Sequence, residues 1–106
     1  MVALTAHSLD TLSEKLIDVA IRMAVGFKVR NFKLKTTPSS FESVIGKALE
    51  STSRQLSKLI CGELYCGLCG KGPFSRKGLY LHLLRVHRYE VKSLIAEELQ
   101  RAENLG

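Results

Sequence analysis

Proline is scarce in this chain, with 2 among 106 residues, and no internal repeat or low-complexity tract is visible. Collagen-like and disordered architectures are thereby excluded, and 45% hydrophobic with 25% charged residues describe about one globular domain's worth of chain. Long apolar runs are missing too. Asp18, Arg22, Lys28 and Arg30 interrupt the most hydrophobic stretch, which leaves no window of the roughly 18 apolar residues that a membrane span needs. Nor does a basic segment followed by an apolar run mark the N-terminus as a secretory leader. The expectation is an intracellular protein, cytoplasmic or nuclear, without a membrane partner. No nucleophile beside a base, no paired carboxylates and no phosphate-cradling glycine loop can be recognised, so neither an enzyme nor a small-molecule substrate is expected. Acidic residues are the minority charge, ten against sixteen basic.

The resulting formal charge of +6 favours a polyanionic partner. Its placement says more than its sum. Residues 26–60 hold seven basic and two acidic groups and residues 61–88 five and one, whereas both termini are net acidic. A polyanion would therefore be met by the middle of the chain.

Cysteine is limited to Cys61, Cys66 and Cys69, and an odd number packed this tightly does not suit a disulfide framework. Two residues between Cys66 and Cys69 let both sulfurs of a turn point inward. His82 and His87, five apart and late in a helix, can meet the same ion once the last turn loosens. The run Cys66-x2-Cys69-x12-His82-x4-His87 thus suits one tetrahedral structural zinc. Four ligands close the coordination sphere, which argues against a zinc hydrolase. Cys61 is a spare thiol that either displaces Cys66 or ends the preceding helix as a small buried residue, the second being the favoured reading. His7 is a bystander.

This run resembles the two-cysteine, two-histidine (C2H2) zinc finger family over about residues 63–88. Leu79, three residues before the first histidine, stands where the family places its core leucine, and Leu64 stands where it usually has an aromatic. Phe74 follows Cys69 by five positions where the family's phenylalanine follows by four, so the intervening turn through Gly70, Gly72 and Pro73 must be irregular. The resemblance implies a ββα unit folded around zinc. It also implies that base readers would fall on Ser75, Gly78 and Leu81 if the helix starts near Arg76. Gly78 and Leu81 offer no hydrogen bond to a base edge. Lys71, Arg76, Lys77, Arg85 and Arg88 can instead hold phosphates, which gives affinity without sequence discrimination.

The flanking segments complete an α+β expectation: a helix–strand–helix unit over 1–60, the finger over 61–88 and an amphipathic helix over 89–106. Ser8, or Thr11 in a capping box with Glu14, would start a first helix ending at Val25 before Gly26. Phe27 to Lys35 alternates apolar and basic residues and reads as a strand or short hairpin whose Lys28, Arg30, Lys33 and Lys35 form a basic face. Its two rings, Phe27 and Phe32, are expected to pack inward. After Thr36-Thr37-Pro38, a capping box of Ser39 and Glu42 opens a long helix whose stripe runs from Phe41 through Leu56 to Leu59 and Ile60. Val91, Leu94, Ile95 and Leu99 give a last helix over about 91–103, whose apolar face needs the N-terminal helices, a second copy or another protein. Together these features predict a nucleic-acid-binding protein, DNA favoured and RNA possible, and most simply a small transcriptional regulator. The alternative is a zinc-stapled interaction module or ribonucleoprotein subunit.

Overall fold

The computed structural model describes residues 6–28 and 39–105. Four helices and one two-stranded antiparallel hairpin follow in the order α1 (Ala6–Val25), α2 (Ser39–Leu56), β1 (Ser57–Ile60), β2 (Glu63–Cys66), α3 (Arg76–Val86) and α4 (Arg88–Leu105). The fold class is α+β.

In α1, the apolar spacing carries Leu9, Leu16, Ile17, Ala20, Ile21 and Val25 onto one buried face. The helix stops at Gly26, whose φ of +83° is the left-handed conformation that glycine adopts without a Cβ penalty. Its start differs from expectation: α1 already runs from Ala6, so Ser8 and Thr11 lie within the helix and Thr11 with Glu14 forms no capping box. Beyond α1, Phe27 and Lys28 are not in a strand, and Phe27 packs partly buried with its ring 5.8 Å from Tyr80. Arg30, Phe32, Lys33 and Lys35 lie outside the described residues.

The stripe of α2 buries Ile45, Ala48, Leu49, Thr52 and Leu56 and then ends. Leu59 and Ile60, expected to continue it, stand on β1 and are 72% and 50% exposed. Pairing explains the switch. Ser57 to Ile60 lie opposite Cys66 to Glu63 in register, which exchanges helical hydrogen bonds for a ladder. Cys61 accordingly neither ends a helix nor is buried. It is exposed in the hairpin turn with φ of 51°.

Ser57 Oγ donates to the Ala24 carbonyl at 2.8 Å, so the C-terminal ends of α1 and α2 lie together. The last helix, α4, runs against α1, since Arg88 pairs with Glu14 and Lys92 with Asp10. It begins at Arg88, earlier than expected, and packs mainly on α2 and α1, burying Val91, Ile95 and Leu99. The N-terminal helices thus supply the partner that its apolar face requires. Arg88 reaches Glu14, and Lys92 bridges Asp10 at 2.7 Å and Glu14 at 3.4 Å, which fixes the axial position of α4 along α1. Ahead of it, α3 lies on the C-terminal half of α1, where the Tyr80 hydroxyl donates to Asp18 and Arg22 sits 5.4 Å above the Tyr80 ring. One contiguous core joins residues of all four helices with Cys66. Among the described residues, no helix is long and apolar enough to cross a membrane.

Candidate metal centre

Cys66 is the last residue of β2 and the start of a tight knuckle. Its N–H donates to the Lys71 carbonyl at 2.8 Å, and its carbonyl accepts from Gly70 at 2.9 Å. The knuckle docks on the end of α2 through Gly67, whose N–H donates to the Leu56 carbonyl at 2.9 Å. A side chain there has no room, because a Cβ would stand 2.2 Å from the Gln55 carbonyl oxygen. Past the knuckle the chain returns to β2 by a single bridge, with Phe74 N–H donating to the Leu64 carbonyl at 2.8 Å. This is the irregular turn that the five-residue spacing requires, and it places the Phe74 ring against His82 at 4.8 Å.

The expected ββα unit over 63–88 is therefore met only in part. One regular strand, β2, and the Phe74 bridge lie within that span, and the partner strand β1 precedes it. The helix of the unit starts where the sequence indicated. Ser75 caps α3, its Oγ accepting from the Gly78 N–H at 2.9 Å, and Leu79 and Leu83 face the core. His82 follows at the end of the second turn. His87 is the only residue between α3 and α4, the loosened turn that lets two histidines five apart converge.

One ligand atom from each of Cys66, Cys69, His82 and His87 lies within 4.8 Å of every other. Cys69 Sγ stands 3.3 Å from His82 Nε2. A tetrahedral zinc would place its ligand atoms about 3.3–3.8 Å apart, given Zn–S of about 2.3 Å and Zn–N of about 2.0 Å. The chemistry of the site tests the fit independently. His87 is 6% exposed, its Nδ1 is 2.8 Å from Glu90 Oε1, and its Nε2 is buried with no hydrogen-bond partner among the described residues. An orphaned buried nitrogen is costly in a folded protein, and this one belongs to a cluster with two thiols and a second imidazole. The four residues can hold a metal ion. Cys61 is not among them.

The protonation tendencies of the ligands differ. The Lys71 backbone hydrogen bond, with the neighbouring His87 and His82 imidazoles, pulls the Cys69 thiol down to about 6. Burial pushes the Cys66 thiol up. Burial alone would lower His87, but the Glu90 hydrogen bond and the neighbouring Cys69 thiol outweigh it and raise the imidazole. Glu90 escaped the sequence reading, although an acid three residues after the second histidine, in the first turn of a helix, was the available signal.

The cations expected to meet phosphates divide into two groups. Lys71, Arg76, Lys77 and Arg85 are exposed and form no ion pair with the other described residues, whereas Arg88 is engaged by Glu14. Lys28 is exposed at the end of α1. Ser75 is exposed, and Gly78 and Leu81 are half-buried. Set beside known proteins, the chain matches no family model, no curated protein and no solved structure.

Proposed function

We propose that this chain is a zinc-containing nucleic-acid-binding protein, a small DNA-binding regulator of transcription held mainly by phosphate contacts. Zinc bound by Cys66, Cys69, His82 and His87 would be structural. It would staple the knuckle to α3 and to the first residues of α4, and four protein ligands leave no position open for a reacting water. The reading therefore includes no catalysis.

The observation that carries it is the contrast in charge around the site. Arg88 and Lys92 pair with Glu14 and Asp10, while Lys71, Arg76, Lys77 and Arg85 remain exposed without a described acidic partner. Lys28, Arg30, Lys33 and Lys35 add cations by sequence. Ser75, Gly78 and Leu81 are poor base readers, which favours contacts to the backbone over contacts to base edges.

Titration of duplex DNA, single-stranded DNA and structured RNA over a series of salt concentrations tests this. Each phosphate contact contributes about one unit to the slope of log affinity against log salt, so the double variant Arg76→Ala, Lys77→Ala is expected to lose about two units and to weaken all sequences alike. An unchanged affinity and slope in that variant, with fold and metal intact, overturns the reading. A second reading, a zinc-stapled interaction module or ribonucleoprotein subunit, is favoured by Leu59 at 72% and Tyr89 at 83% exposure. Preference for structured RNA, or no nucleic-acid binding at all, would select it.

A further inference from the structure

We infer that Glu90 is a positioning residue of the metal centre, holding His87 in the tautomer and orientation that present Nε2 to the ion. The inference rests on the four-ligand reading of the site.

Two nitrogens of His87 face different surroundings. Nδ1 is 2.8 Å from the Glu90 carboxylate, and Nε2 is buried without a partner in the ligand cluster. A carboxylate accepts and never donates when ionised, so the proton of neutral His87 sits on Nδ1 and the lone pair is left on Nε2. A ligand histidine oriented in this way by a carboxylate is a more basic and better-aimed donor than a free imidazole. His87 needs that help more than His82 does. The His82 ring is held by stacking on Phe74 and lies on a regular turn of α3, whereas His87 occupies the break between two helices, with φ of −112° and ψ of 22°. The break leaves its ring without the regular helix that orients His82. Glu90 restores the constraint from the other side, because it belongs to the first turn of α4, and the Val91 N–H donating to the His87 carbonyl at 2.9 Å ties that turn to the same residue.

A carboxylate in a helix's first turn also interacts favourably with the helix dipole. A role limited to α4 would change stability with or without metal and leave the coordination sphere untouched, which separates the two roles. Cobalt(II) is titrated into the metal-free full chain, its absorption bands are recorded, and zinc affinity is then measured by displacement. Wild type is compared with Glu90→Gln, which keeps a neutral acceptor of the same reach, with Glu90→Ala, and with Glu97→Gln as a control for charge loss elsewhere on α4.

The expected order of zinc affinity is wild type, Glu90→Gln, Glu90→Ala. The last should be weakened by about 10–100-fold, with shifted cobalt bands, and Glu97→Gln should match wild type. If Glu90→Ala does not fold, a weaker affinity and shifted bands in Glu90→Gln support the inference in its place. Affinities and spectra of the Glu90 variants equal to those of Glu97→Gln overturn the inference. Failure of wild type to bind cobalt or zinc would instead remove the four-ligand reading itself.

Discussion

A metal ion binds only the deprotonated forms of its ligands, thiolates from Cys66 and Cys69 and neutral imidazoles from His82 and His87. In the metal-free protein these preferences conflict. Cys69, lowered from 9.0 to about 6, contributes stability that is complete above its unfolded value and is lost as pH falls through about 6. His87, raised from 6.5, has the opposite sign: its contribution is complete below 6.5 and disappears as pH rises through the raised value. A bound metal would remove the conflict by excluding the proton from both. Binding must also displace the proton that burial keeps on Cys66. Zinc uptake is therefore expected to release protons, and zinc affinity to weaken progressively as pH falls. Zinc affinity measured by competition at successive pH values checks this, and an affinity that does not fall from neutral to acid pH would contradict it. The four-residue cluster was legible in the sequence because two residues between cysteines and four between histidines are local constraints. The Glu90 contact was not, since its meaning depends on which face of the His87 ring the core closes over.

The helices show where periodicity informs and where it misleads. Gly26 ends α1 where the sequence put it, and α3 starts at Arg76 as expected, with Ser75 as a cap that the sequence analysis did not assign. Leu59 and Ile60 follow Leu56 at helical spacing, yet they stand on β1, because the ladder with residues 63–66 is decided by chain that comes after them. A pattern within one segment cannot register that competition. The apolar stripe of α4 was readable, but its partner was not. The spacing of Val91, Ile95 and Leu99 is the same whether they meet α1 and α2 or another molecule. Their complete burial within one chain makes α4 part of the core. Ile95→Ala is accordingly expected to cost about 2–5 kcal/mol in denaturant unfolding. Tyr89→Ala, on the exposed side of the same helix, should stay within about 0.5 kcal/mol of wild type. Similar small losses in both would show that α4 is peripheral.

At the scale of the molecule, the metal centre and the helices share one interior. Cys66 belongs to the same buried cluster as Leu16, Leu49 and Ile95, and Leu79 and Leu83 of α3 lie in it beside residues of α1. Chelation is therefore expected to destabilise the whole protein. Zinc at about 1,000 times its dissociation constant would add about 4 kcal/mol to folding. Calorimetry should show one transition that moves to lower temperature on chelation. Two transitions, only one of them sensitive to metal, would show that the knuckle and α3 unfold independently of the helices.

His87 gives this architecture a rotational setting. It is the single residue between α3 and α4, so the azimuth of the α4 seam is geared to the direction in which Nε2 faces the Cys66, Cys69 and His82 cluster. Each residue of a helix advances about 100° around the axis and about 1.5 Å along it. One residue inserted after His87 would leave the ligand set untouched and still turn Val91, Ile95 and Leu99 away from α1 and α2. The cluster and the helical core can exchange side chains separately, but at this joint they cannot change length separately.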